Sequence, residues 1–267
     1  MDSFSRGDLV FDVRDSGPAD GEPVVLLHGF PQDAGSFDRL SPVLHSAGLR
    51  TLAPDQRGYS PGARPAGRSA YALREVVDDV LALLDRVGAR RAHVAGLSLG
   101  GMIALRLAAR EPQRVHRLAV LCSSAKTEPQ GFLDRAAAAR ADGTASFAPA
   151  VASRWLTPSY AAEHPDLLAR LEAMIAGADD EGYAACAEVV GRVDLREDLG
   201  RITAPTLVVS GAEDPALPPE HQRAIADGIA GAELLTVSPG AHLANLEQPL
   251  RISGALLGHF DAAGDER

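Results

Sequence analysis

Residues 92–110 read AHVAGLSLGGMIALRLAAR, and this stretch decides the fold. Its first six residues form a short apolar run, as in a strand buried on both faces. From Leu99 onward the apolar positions take helical spacing. Between the halves lies Gly96-Leu97-Ser98-Leu99-Gly100, a G-x-S-x-G pentapeptide followed by Gly101. A strand that passes directly into a helix turns sharply, and a Cβ on either flank would collide with the turn or a neighbouring strand. Such a turn projects Ser98 above the sheet edge, at a helix N-terminus whose dipole favours developing negative charge.

The flanking chain repeats the strand-to-helix alternation. PVVLLHG (23–29), LRTLAPD (49–55), RLAVLC (117–122), PTLVVS (205–210) and ELLTVS (233–238) read as strands. Leu73, Val76, Val77, Val80, Leu81, Leu84 and Val87 keep helical spacing within 71–87, and Gly88 closes that helix. Further helices are expected at 36–47, with Ser36 as N-cap, at 219–229 and at 246–258. Residues 8–13 alternate and meet the turn-rich DSGPADGEP (15–23), which predicts an early edge hairpin. This alternation implies an α/β fold: a mostly parallel sheet with right-handed crossovers and helices on both faces. The alternation lapses over 125–200, an Ala-rich helical stretch containing DLLARLEAMIA (166–176). The expected organisation is therefore an α/β core of residues 1–124 and 201–267 carrying a helical cap, or lid, at 125–200.

Composition narrows the class. The 267 residues are 46% hydrophobic and 23% charged, as in an ordinary globular protein of one or two domains. A net charge of −10 and only 4% aromatic residues argue against a nucleic-acid partner. Cys122 and Cys186 fit neither a disulfide framework nor a metal spacing, which implies a reducing compartment or simple indifference to redox setting. MDSFSRGDLVFDV lacks the pattern of a signal peptide, and no apolar run approaches the ~18 residues of a membrane span. A cytoplasmic protein without a membrane partner is expected.

A serine hydroxyl needs a positioned base to become a nucleophile. Of the eight histidines, His242 follows the last strand, in the loop before the final helix. That places it at a C-terminal strand end, on the same sheet edge as Ser98. The imidazolium formed when His242 takes a proton needs a carboxylate. Asp214 follows strand 205–210 on the same edge, and the order Ser98, Asp214, His242 suits this architecture. Glu213 and Glu128 are the alternative acids. An oxyanion hole needs two backbone donors. Leu99 supplies one, and the loop His28-Gly29-Phe30-Pro31 supplies the second, at Phe30. In that loop Gly29 permits close backbone approach, Pro31 rigidifies the turn with a cis bond possible, and His28 is a structural hydrogen-bonding residue. No HExxH or P-loop pattern is present, and the chemistry requires no metal or organic cofactor.

Taken together, these motifs resemble the α/β-hydrolase superfamily over essentially the whole chain. The carriers are His28-Gly29-Phe30-Pro31, Asp55-Gln56-Arg57-Gly58, the pentapeptide with Gly101, the run Pro205 to Asp214, and Gly240-Ala241-His242. The resemblance implies that Asp55 and Arg57 are structural anchors of the sheet edge. SRW (153–155), VDLR (193–196) and HLANLE (242–247) are similar to the 3-oxoadipate enol-lactonase group. That likeness implies substrate contacts for Arg154 and Trp155, with Phe30 lining the same apolar cavity. His-Gly-Phe-Pro looks more like epoxide hydrolases and haloalkane dehalogenases, but those carry Asp where Ser98 stands. Tyr160 and Tyr183 are accordingly read as packing residues. The expected activity is a serine esterase or lactonase acting on a small molecule through an acyl-enzyme. Non-hydrolytic chemistry on the same triad (perhydrolase or haloperoxidase, C–C hydrolase, hydroxynitrile lyase) and an inactive binding module are the competing expectations.

Overall fold

A computed structural model of the protein describes residues 3–261. Eight strands are present among them: β1 (Ser3–Arg6), β2 (Leu9–Ser16), β3 (Glu22–Leu27), β4 (Leu49–Pro54), β5 (Ala92–Leu97), β6 (Val115–Leu121), β7 (Thr206–Gly211) and β8 (Glu233–Val237). They form one sheet in the order β1-β2-β4-β3-β5-β6-β7-β8. The β1/β2 and β2/β4 pairs are antiparallel, and every pair from β4 to β8 is parallel. After β3 the chain first adds β4 on one side, then crosses back to add β5 on the other. This reversal opens a crevice at the C-terminal ends of β3 and β5, where the loops carrying Phe30 and Ser98 begin.

Alternation along the strands divides the core in two. Val25, Leu27, Val94, Val120 and Val208 face α2 (Leu73–Arg86), α3 (Leu99–Arg110) and α10 (Pro219–Gly228). Val24, Leu26, Ala95, Leu97 and Val209 face α1 (Ser41–Ser46) and α12 (Pro249–Asp261). Successive side chains of a strand point to opposite faces, so continuous apolar strands require cover on both. A smaller cluster beneath β1 and β2 includes Phe4 and Phe11, directly paired across the strands with ring centroids 4.8 Å apart.

Between β6 and β7 the chain forms α4 (Pro129–Asp142), α5 (Ala148–Ala152), α6 (Pro158–Glu163), α7 (Pro165–Ala176), α8 (Asp180–Val190) and α9 (Arg196–Leu199). The only pairing of strand type in this stretch, among the described residues, is an isolated bridge between Lys126 and Asp194. A short α11 (Ala244–Glu247) precedes α12.

Three local expectations are corrected. The helix expected at 36–47 is a 3-10 turn over Ala34–Phe37 followed by α1. Asp33, not Ser36, caps that turn, its Oδ1 accepting from the Gly35 amide at 2.7 Å. Pro42 has no N–H and is tolerated only in a first turn, so the helix restarts around it. Pro249 splits the helix expected at 246–258 into α11 and α12 in the same way. The edge hairpin joins β1 to β2 through Gly7, which has φ +59°, while DSGPADGEP leads from β2 to a strand that β2 does not touch. Turn composition reports a reversal of the chain, not which strand lies beside which.

Candidate active site

Ser98 sits at φ 53°, ψ −114°, outside the helical region, between β5 and α3. The surrounding glycines make this turn sterically possible. A Cβ on Gly96 would lie 2.1 Å from the Gly100 carbonyl oxygen. One on Gly100 would lie 1.9 Å from the Leu27 oxygen, and one on Gly101 2.6 Å from the Ser123 Cβ. The Ser98 backbone is held on both sides: its amide donates to Leu121 at 2.9 Å, and the Ser123 hydroxyl donates to its carbonyl at 2.7 Å. The strained turn is thus fastened to β6, and the hydroxyl is free to be oriented by another group.

That group is His242. The loops after β7 and β8 are joined by Ala212 N–H to Val237 (2.9 Å) and Glu213 N–H to Gly240 (2.9 Å). Gly211 allows this approach, since a Cβ there would lie 2.2 Å from the Ala241 oxygen. Across the joined loops His242 Nδ1–H donates to Asp214 Oδ2 at 2.8 Å. The other carboxylate oxygen accepts from the Ala216 and Leu217 amides at 2.8 and 2.9 Å, so Asp214 is buried with both oxygens occupied. A ring that donates from Nδ1 presents a lone pair on Nε2. The Ser98 hydroxyl lies 3.0 Å from that nitrogen and donates to it. The structure therefore joins Ser98, His242 and Asp214 in one hydrogen-bonded line. The alternative acids stand outside it: the amide of Glu213 braces the two loops, and the Glu128 carboxylate is 83% exposed beside Lys126.

The first loop closes over the same point. The Phe30–Pro31 bond is cis, and a Cβ on Gly29 would lie 3.3 Å from the Ser98 Cβ. Neither the Phe30 nor the Leu99 amide donates to an acceptor within the described residues. His28 is fully buried; its Nδ1–H donates to the Gly29 carbonyl at 2.9 Å, and its Nε2 accepts from the Gln56 amide at 3.0 Å. It thus orients the loop through both ring nitrogens. Arg57 makes a bidentate, buried pair with Asp79 of α2, both contacts at 2.6 Å, and Asp55 accepts from the Ala34 amide at 2.7 Å.

Burial pushes the His28 imidazole below the ordinary histidine value, outweighing its bond to Gly29. A depressed histidine pKa means that the folded state resists a proton the unfolded chain accepts. Stability is therefore lost as pH falls below about 6.5. Imidazole NMR is expected to show His28 as a neutral Nδ1–H tautomer down through pH 6.5. A titration midpoint at or above that pH would contradict the arrangement.

Of the expected substrate contacts, Phe30 faces inward, its ring 4.5 Å from that of Tyr183 on α8. Trp155 is 3% exposed and packs in the apolar cluster with Leu156 and Leu243. Arg154 is exposed and donates to the Pro215 carbonyl at 2.6 Å, a tie to the Asp214 loop. Tyr160 donates to the Leu246 carbonyl at 3.0 Å, while Tyr183 is buried between Phe30 and Phe147. Sequence reasoning missed Glu247. Buried in α11, it accepts from the Ala241 amide (2.9 Å) and from the amide and hydroxyl of Thr157 (3.2 and 2.7 Å). It thereby fixes the residue before His242 to the segment between α5 and α6. It stood in the sequence as the last residue of HLANLE (242–247), with no role attached to it.

A serine at a strand-to-helix elbow, with histidine and aspartate on later loops of a mostly parallel sheet, defines a class. The chain belongs to the alpha/beta hydrolase fold family, whose model matches residues 22–249. Within that class it is 32% identical to 3-oxoadipate enol-lactonase 2 of Acinetobacter baylyi over 203 residues, covering 76% of this chain and 75% of that protein. It is also 32% identical over 249 residues to a Variovorax paradoxus protein whose name proposes a carbamate hydrolase, covering 90% and 92% of the two chains. The crystal structure of the enol-lactonase from Burkholderia xenovorans superposes with a TM-score of 0.93 at 29% identity, covering 97% of this chain and 99% of that one.

Proposed function

We propose that this protein is a serine hydrolase that cleaves small carboxylic esters or lactones through an acyl-enzyme. The observation that carries the reading is the Ser98–His242–Asp214 line beside two backbone donors with no internal acceptor. Ser98 Oγ attacks the substrate carbonyl while His242 Nε2 takes its proton. The Phe30 and Leu99 amides hold the oxyanion, and Asp214 stabilises the imidazolium. His242 returns the proton to the leaving alkoxide, which in a lactone stays on the acyl chain. Water, activated by His242, then attacks the acyl carbon and releases Ser98.

In this reading residues 125–200 are a cap over the site. Arg154 on Pro215, the Leu243 amide on the Trp155 carbonyl (2.8 Å), Thr157 on Glu247 and Tyr183 on Phe30 support it. Phe30, Tyr183 and Phe147 place apolar rings beside the site, which suits a small organic acyl group. A carbamate carbonyl fits the same chemistry, and the Variovorax relative makes that a second reading.

A fluorophosphonate probe is expected to label Ser98 stoichiometrically. A panel of p-nitrophenyl esters, lactones and carbamates followed by pH-stat is expected to show turnover of esters or lactones. Turnover confined to carbamates would favour the second reading, and a protein that is neither labelled nor active would overturn both.

A further inference from the structure

The sheet edge opposite Ser98 carries a second cluster of chemistry-bearing side chains. Glu22 opens β3, and His93 and His116 are the second residues of β5 and β6. These strands are neighbours in the order β3-β5-β6 and parallel, so their N-terminal ends bring the three residues together. Glu22 Oε1 lies 2.6 Å from His116 Nδ1 and 3.4 Å from His93 Nε2. One ligand-type atom from each residue falls within 4.8 Å of the other two.

His93 needs an explanation. It is 0% exposed, yet among the described residues neither of its ring nitrogens has a hydrogen-bond partner. Buried polar atoms are ordinarily satisfied, and leaving them unpaired is costly. Its ring is held in place, stacked between His116 (centroids 4.7 Å apart) and Phe260 of α12 (4.6 Å). The nearby His259 is already committed, donating Nε2–H to the Leu118 carbonyl at 3.0 Å. Nε2 of His93 therefore points at Glu22 without completing a hydrogen bond.

We propose that Glu22, His93 and His116 form a binding site for a divalent cation of the zinc class. Two imidazole nitrogens and one carboxylate oxygen are the donor set that a borderline-soft cation selects. With bonds of about 2.0–2.1 Å, tetrahedral ligand atoms stand roughly 3.4 Å apart. The His93–Glu22 separation already has this value. The His116–Glu22 pair, now at hydrogen-bond distance, opens to it when the cation replaces the shared proton. That proton moves to His116 Nε2, so the imidazole stays neutral and donates its Nδ1 lone pair. Glu22 is 43% exposed, which leaves the fourth position to water. The cation would clamp the starts of three central strands. Ser98 lies five residues further along β5, about 16 Å away at ~3.3 Å per residue, so the site is separate from the hydrolytic one.

The test uses the tag-free full chain, stripped with EDTA and titrated with zinc chloride by calorimetry. One equivalent of zinc is expected to bind, with affinity reduced tenfold or more in both Glu22→Gln and His116→Phe. Zinc is also expected to raise the Tm of the parent by several degrees and to leave that of the two variants unchanged. Cobalt(II) in place of zinc should give visible d–d bands in the parent and in neither Glu22→Gln nor His116→Phe. His242→Ala should bind zinc as the parent does, which separates this site from coordination at the triad histidine. Binding well below one equivalent, or equal affinity in the parent and both variants, would overturn the proposal. Glu22 and His116 reach the surface, so their replacement tests the site without removing the buried His93.

Discussion

Ester hydrolysis by Ser98→Ala is expected to fall by roughly 10³-fold or more in kcat, equivalent to about 4 kcal/mol of transition-state stabilisation. The change removes one oxygen, whose hydrogen bond goes to His242. The bonds that hold the turn are made by the backbone of residue 98 and by Ser123, and alanine keeps them. The glycines that accommodate the elbow are untouched. Tm should therefore stay within a few degrees of the parent while turnover collapses. Stopped assays on the best substrate of the panel, with thermal unfolding on the same preparations, check both halves. A variant that retains substantial hydrolysis would remove Ser98 from the reaction.

Asp214→Asn separates orientation from packing at the second position. Asparagine matches aspartate in shape, and its Oδ1 can still accept from the Ala216 and Leu217 amides. What changes is the atom facing His242: an NH₂ donor replaces the oxygen that accepted from Nδ1. The imidazole then satisfies that donor only by accepting at Nδ1, which places its own proton on Nε2. Nε2 can no longer receive the Ser98 proton, and the imidazolium loses its counter-charge. A drop of about 10³- to 10⁴-fold in kcat is expected, as for the equivalent change in serine proteases. KM should move little, because Asp214 is buried behind His242. If Asp214→Asn retains more than a tenth of parental kcat, the orienting role is wrong.

Both expectations rest on residues legible in the sequence, for a common reason. The elbow is a short-range steric problem: Gly96, Gly100 and Gly101 are needed because atoms a few residues away, or on the adjoining strand, leave no space for a Cβ. Asp214 and His242 stand directly after strands whose apolar runs are easily seen. Glu247 was not legible, because its partners include Thr157, ninety positions away. Gln32 holds the first loop by accepting from the Gly29 amide and the Ser36 hydroxyl, and a glutamine in a loop gives no hint of this. Glu22, His93 and His116 follow no metal-binding spacing and meet only through strand order.

The sequence by itself therefore determined the alternating α/β layers, the elbow at Ser98 and the chain order of serine, acid and base. Each depends on periodicity or on steric limits within a few residues. Only the tertiary structure decided that β4 lies between β2 and β3 and that Arg154 ties to Pro215. It alone set Glu247 against Thr157 and gathered three side chains at the far edge. These are contacts between segments distant in the chain. Such pairings follow from the order in which strands add to the sheet and from packing of the whole core, which no local pattern encodes.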